Sequence, residues 1–221
     1  MNKITTHTGS ELPTSRSASH QERGVLAVLR ALAPRRLLTQ AEMEYLAELQ
    51  ANRLLELAGH PQLPIPNELV TELPRIRVLV DVDLPVSGSA QWVSGRWLLS
   101  INGAEPPTRR RFSLAHEFKH VIDHRHVDTL YNSPEQAEHA ADFFAACLWM
   151  PKRDLKRVWG EGLQNLSALS EMFAVSPPAM ARRLQHLGLR QQAPTRRTPP
   201  TVRRPGHYFR TRTPLLERLP A

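Results

Sequence analysis

Between Thr39 and Leu189 the spacing of apolar residues changes several times, and each change predicts a new element. Leu46, Leu49, Leu54 and Leu57 roughly keep helical spacing. Thr39 and Glu42 precede them with the spacing of a capping box, and Gly59 is placed to end the helix. After a connection containing Pro61, Pro64 and Pro66, the period drops to two. Ile76, Val78, Val80 and Val82 alternate with Arg75, Arg77, Leu79 and Asp81, which predicts a strand. Gln91 to Val93 and Arg96 to Ile101 flank Ser94-Gly95, a pattern that suits a tight hairpin. Pro106-Pro107 breaks the sheet pattern, and the spacing becomes helical again. One helix is predicted from Thr108 to about His124, and another from Pro134 to about Trp149, stopped by Pro151. A short pair follows, Leu163 to Phe173 and Pro177 to Leu187, with Ser176 as cap and Gly188 as stop. The expected fold is α+β: a small antiparallel sheet packed with helices, and an additional helical pair at the C-terminal end. There is no internal repeat.

Composition limits this body to about 39–189. Residues 1–20 are rich in Ser and Thr without apolar periodicity, so residues 1–38 are expected to be mostly disordered, with at most a short helix at Val25 to Ala33. The net charge of +8 suggests nucleic acid until it is located. Eight arginines and one glutamate lie between Arg190 and the C-terminus, so that segment carries +7 of the total. The charge belongs to a Pro/Arg-rich tail, 190–221, expected to be disordered, and not to a binding face on the domain. The single Cys147 excludes an internal disulfide and reads as a packed core thiol. No apolar run is long enough to cross a bilayer, and the best leader-like run is short and interrupted by Arg30. The expected location is the cytoplasm.

The chemistry concentrates in His116-Glu117-Phe118-Lys119-His120, an HExxH motif. Four residues are about one helical turn, roughly 6 Å of rise, so both imidazoles project from one face and can share a zinc ion. Glu117, beside the first histidine, can take a proton from water at the metal and pass it to a leaving amine. Phe112, Leu114, Ala115, Phe118, Val121 and Ile122 supply the apolar surface that packs such a helix while one stripe faces a cleft.

A catalytic zinc needs a third protein ligand and an open position. His124 is about 12 Å along the axis from His116, too far for a shared ion on a straight helix. Asp123 and Asp128 lack an element of their own. Glu138 lies early in the next helix, with Asp142 one turn further on the same face. This permits Glu138 to bind zinc while Asp142 holds the second nitrogen of a ligand imidazole. Ala140, Ala141, Ala145 and Ala146 would let the two helices approach closely. Taken alone, Glu138 and Asp142 also read as surface carboxylates; their position about twenty residues after HExxH favours the ligand reading.

The run Arg111-Phe112-Ser113-Leu114-Ala115-His116-Glu117, continuing to His120, resembles the RFTLAHELGH signature of the ImmA/IrrE metallopeptidases. The run from Glu138 through Ala141, Asp142, Phe144, Ala145, Ala146, Leu148, Met150 and Pro151 is similar to that family's ExxANxFAxxLLMP segment. Asn102 fits its strand ending. Val175-Ser176, Ala179-Met180, Arg183-Leu184 and Leu187-Gly188 resemble its VSxxAMxxRLxxLGL segment. The resemblance covers roughly 39–189 and implies a zincin-like helix pair and regulatory proteolysis of helix-turn-helix repressors of mobile elements or stress genes. Two departures stand out. Lys119 replaces the usual glycine of HELGH, which could narrow the cleft or alter helix packing. Asp142 replaces the common asparagine and would be the stronger imidazole acceptor.

The resemblance further suggests a substrate extended along a strand such as Trp97 to Ile101, with Trp92 and Trp97 as packing residues or part of the wall. His124, His126 and Tyr131 are candidates to stabilise the oxyanion. A rival reading takes Leu163 to Leu187 as a helix-turn-helix with Arg182-Arg183 beginning a basic stretch. The chain would then be a non-catalytic DNA-binding or repressor-binding regulator with a structural or vestigial zinc site, and the tail would add phosphate affinity.

Overall fold

The computed structural model describes residues 24–189; the expectations for 1–20 and for the 190–221 tail lie outside them. In chain order the elements are α1 (Val25–Ala31), α2 (Gln40–Leu57), α3 (Glu68–Thr71), β1 (Ile76–Asp81), β2 (Gly88–Val93) and β3 (Arg96–Asn102). They continue with α4 (Pro107–Asp123), α5 (Val127–Leu130), α6 (Pro134–Trp149), α7 (Lys152–Gly160), α8 (Leu166–Phe173) and α9 (Pro177–His186). The fold is α+β, as the periodicity predicts.

The capping box at Thr39 forms in both directions. Glu42 N donates to Thr39 Oγ1 at 3.4 Å, and Thr39 N donates to Glu42 Oε2 at 2.9 Å. Helix α2 then buries Met43, Leu46, Ala47, Ala51, Leu54 and Leu55. The packed body begins before the expected residue 39. Leu29 of α1 is fully buried in the core, and Arg30 donates to Val121 O at 2.7 Å and Ile122 O at 3.1 Å. Those carbonyls belong to the last turn of α4, where a cation also meets the negative end of the helix dipole. Most of 1–38 offered too little apolar surface to reveal this; one buried leucine and one arginine suffice to dock α1.

The sheet is mixed, which corrects the expectation of a wholly antiparallel one. Its order is β1-β3-β2. β2 and β3 form the predicted hairpin, with Trp92 opposite Trp97, and Ser94 and Gly95 both have positive φ, as a two-residue turn of this kind requires. β1 runs parallel to β3, with Ile76 opposite Trp97 and Asp81 opposite Asn102. After β1 the chain does not fold back on itself; residues 82–87 carry it past one strand position, and β3 fills the gap in the direction of β1. β3 takes the centre because Trp97, Leu99 and Ile101 give it the most completely buried face.

Helix α4 begins with Pro107 at its first turn, and α6 with Ser133 as cap, its Oγ accepting from Gln136 N at 3.3 Å. α6 lies between α2 and α4. Ala137, Ala140, Ala141 and Ala145 are buried along it, and Phe118 meets Phe144 at 6.2 Å between ring centroids. Helix α7 has no counterpart in the apolar pattern. Among its lysines and arginines only Leu155 and Val158 are buried, a stripe too short to stand out.

Candidate metal centre

The α4–α6 crossing brings His116, His120 and Glu138 together. His120 Nε2 lies 3.1 Å from His116 Nε2. Glu138 Oε2 lies 3.1 Å from His116 Nε2, and its Oε1 lies 3.3 Å from His120 Nε2. A tetrahedral zinc with bonds of about 2.0–2.1 Å separates its ligand atoms by about 3.3 Å, so these three donors fit the ion's edge lengths. Two borderline nitrogens and one carboxylate oxygen are also the donor chemistry zinc takes in hydrolytic sites.

Asp142 holds the other side of His116. The ring's Nδ1 donates to Asp142 Oδ1 at 2.9 Å, which fixes the tautomer that leaves Nε2 with its lone pair toward Glu138. Burial works against a charged His116, but the hydrogen bond and charge of Asp142, with Glu117 and Glu138 adding, raise its pKa. The same hydrogen bond lowers the pKa of Asp142. Burial and the neighbouring His116 lower His120.

Glu117 is 8% exposed, and burial is the main cause that raises its pKa, with Glu138 adding and His116 opposing. A raised carboxyl pKa suits a group that must both accept and return a proton. Its neighbour is Gly88, at the start of β2. A Cβ on Gly88 would stand 2.8 Å from both Glu117 Cγ and Oε1, so only glycine leaves room for the carboxylate. The loop before Gly88 is tied down by Asn102, whose Nδ2 donates to Leu84 O at 2.8 Å and whose N donates to Ser87 O at 3.0 Å. Neither role for Gly88 is visible in the sequence, because its partner is contributed by α4, well separated along the chain.

Lys119 does not enter the cleft. It is 1% exposed and points between α4 and α2, where Nζ donates to Asp123 Oδ2 at 2.5 Å, Gln50 Oε1 at 2.7 Å and Tyr131 Oη at 3.2 Å. Tyr131 Oη in turn donates to Asp123 Oδ2 at 2.5 Å. Burial pulls the lysine pKa down while Asp123 counters it. These bonds commit the Tyr131 hydroxyl to the interior and remove it from the oxyanion candidates. His124 packs edge-on against Trp97, 4.8 Å between centroids, and His126 Nδ1 is buried without a hydrogen-bond partner.

The strand Trp97 to Ile101 is β3, paired on both sides, so it cannot receive a peptide by strand addition. The strand with a free edge beside Glu117 is β2. Trp97 is buried and Trp92 half-exposed, their rings 5.3 Å apart. Arg111 stacks over Trp149 with its guanidinium 3.9 Å from the ring and bonds to Ile65 O and Asn67, while Trp149 Nε1 donates to Arg111 O at 2.8 Å. Arg183 is also internal, donating to Met150 O at 3.2 Å, so of the Arg182-Arg183 pair only Arg182 is exposed to a nucleic-acid phosphate.

Residues 76–185 match the Peptidase_M78 family, described as the IrrE N-terminal-like domain. The chain carries an IrrE N-terminal-like domain. That domain defines a metallopeptidase family, and the matched stretch contains all five residues of the proposed site. No curated protein matches the chain. Among solved structures, a Mycobacterium tuberculosis transcriptional regulator superposes with a TM-score of 0.49 and 19% sequence identity, over 63% of this chain and 55% of that one. The chain thus spans about half the length of that protein. No described helix of this IrrE N-terminal-like protein is long and apolar enough to cross a membrane.

Proposed function

We propose that the protein is a cytoplasmic zinc endopeptidase in which His116, His120 and Glu138 hold the metal, Glu117 is the catalytic base and Asp142 orients His116. The observation that carries this reading is the convergence of three donor atoms within 4.8 Å of one another beside a buried carboxyl group. Zinc, when bound, supplies Lewis acidity that activates water and polarises a carbonyl at neutral pH. Glu117 accepts the proton released as water attacks the scissile carbonyl and returns it to the departing amine, so no covalent acyl-enzyme forms. The free edge of β2, which begins at Gly88 against Glu117, offers backbone groups on which an extended peptide can align. The substrate class proposed is a helix-turn-helix repressor of a mobile element or stress response, on the strength of the ImmA/IrrE resemblance.

Co-incubation with a helix-turn-helix protein encoded beside this one tests the proposal. Cleavage by the zinc-loaded wild type, abolished by chelator and by Glu117→Gln with zinc content intact, is the expected result. Zinc content unchanged in Glu138→Ala would remove the third ligand. The rival, a non-catalytic regulator, predicts instead salt-dependent DNA affinity that disappears when 190–221 are deleted, without metal-dependent cleavage.

A further inference from the structure

A second concavity adjoins the metal centre and shares a wall with it. The groove, about 460 Å³, lies between the first turns of α4, the outer face of α6 and helix α9. That volume falls within the usual range for ligand sites. Its apolar lining includes Phe112, Phe143, Ala146, Met150 and Ala179. Asp142 is part of the same lining, and its Oδ1 is the atom that bonds His116, so the groove ends one side chain from the metal ligands.

The charge around this apolar floor is mostly positive. Arg109, Arg182 and Arg183 line it. Glu44 binds His139 Nε2 at 3.1 Å, and Glu48 stands 3.5 Å from Arg183 Nη2. Asp142 is the sole acidic residue of the lining and is engaged by His116. Arg183 is 3% exposed and is held inside by Met150 O and the Glu48 carboxylate, so Arg109 and Arg182 are the arginines of the lining open to a ligand. An exposed guanidinium beside an apolar floor favours a carboxylate acceptor.

From this, and resting on the endopeptidase reading above, we infer that the groove is the substrate's side-chain subsite and takes a large apolar residue flanked by carboxylates. The chain's own segment from Arg190 onward is the wrong occupant, since its eight arginines and one glutamate would meet like charge. A nucleic acid is disfavoured too, because the floor is apolar.

Binding can be separated from cleavage by using zinc-loaded full-length Glu117→Gln protein. The probes are fluorescein-labelled decapeptides in a Gly/Ser background with a central Asp-Leu-Asp, Lys-Leu-Lys or Asp-Gly-Asp, followed by fluorescence anisotropy. Asp-Leu-Asp is expected to bind at least tenfold more tightly than either other peptide. Adding Arg182→Glu, at matched zinc content, should erase the preference over Lys-Leu-Lys, and Ala179→Phe should weaken Asp-Leu-Asp binding by filling the floor. Equal binding of Asp-Leu-Asp and Lys-Leu-Lys, a preference untouched by both substitutions, or displacement of the peptide by a ten-residue oligothymidylate would overturn the inference. The wild type is then tested for cleavage of the same peptides. Cleavage of all three at equal rates sinks the subsite and leaves the peptidase standing, whereas selective binding without any cleavage sinks the peptidase reading and leaves an acidic-apolar peptide groove.

Discussion

Asp142 Oδ1 stands 2.9 Å from His116 Nδ1, while the other nitrogen of the same ring meets Glu138 Oε2 at 3.1 Å. Both carboxylates come from α6, one turn apart, so a single helix supplies a donor to the metal position and a clamp for the histidine that shares it. Partners of this kind typically contribute about 10–100-fold to metal affinity. Asp142→Ala is therefore expected to weaken zinc binding by about that factor, with Asp142→Asn losing less because an amide oxygen still accepts from Nδ1. Competition against a chromophoric chelator measures both. Unchanged affinity in the alanine variant would show that the clamp does not act on the metal.

Gly88 makes a different prediction, because it touches the base and not the ligands. The Cβ of Gly88→Ala would lie 2.8 Å from Glu117 Oε1, so either the carboxylate or β2 must move. A misplaced catalytic group can cost about 100-fold in rate from a displacement of only ~1 Å. The expected phenotype is a fall in kcat of about that size at full zinc content and near-normal thermal stability. Zinc loss parallel to activity loss would instead mean that the substitution disrupts the whole site.

The grouping of His116, His120 and Glu138 could be read from the chain in part because some of its parts obey local rules. His116, Glu117 and His120 are related by the helical repeat, and so are Glu138 and Asp142 on a second helix, but that the second pair faces the first rested on its position after HExxH and on the family resemblance. Gly88 could not be read, since nothing in its neighbourhood along the chain indicates that Glu117 will fold onto it. The mixed sheet was hidden for a related reason: β2–β3 pairing is announced by Ser94-Gly95, whereas β1–β3 pairing depends on which strand fills the central slot. α7 escaped because it buries only two apolar residues, whereas α1 matches the short helix expected at Val25 to Ala33 and only its docking went unread. Lys119 was expected to narrow the cleft or alter helix packing; its side chain turns inward to Gln50 and Asp123, so its effect is on packing.

That buried lysine has a testable cost. Lys119→Ala would leave the Asp123 carboxylate and Tyr131 hydroxyl in the interior without their cation, and breaking a buried pair from one side typically costs about 3–5 kcal/mol. Lys119→Met with Asp123→Asn removes both charges and should recover a large part of the loss, since the remaining groups are neutral. Urea unfolding at fixed pH distinguishes the two. If the single variant is as stable as the wild type, the network contributes nothing to holding α4 against α2 and the Tyr131 loop.

The capping box at the start of α2 should give the protein an acid-sensitive contribution of known sign. Glu42 is held down at about 2, from an ordinary 4.5, chiefly by its hydrogen bond with Arg36 and then by those with Thr39. A carboxyl group whose folded pKa is depressed stabilises the fold above its unfolded pKa and loses that contribution as pH falls through the folded value. The contribution is thus complete above about pH 4.5, declines below it, and is gone once the pH has passed through about 2. Glu42→Gln preserves a side chain able to close the box but removes the charge. The gap in urea midpoint between wild type and Glu42→Gln should be constant from pH 7 to 5 and narrow steadily toward pH 2. Because the pair is exposed, added salt should shrink the gap at neutral pH as well. A gap that stays the same from pH 7 to 2 would mean that the charge on Glu42 plays no part in starting the helix.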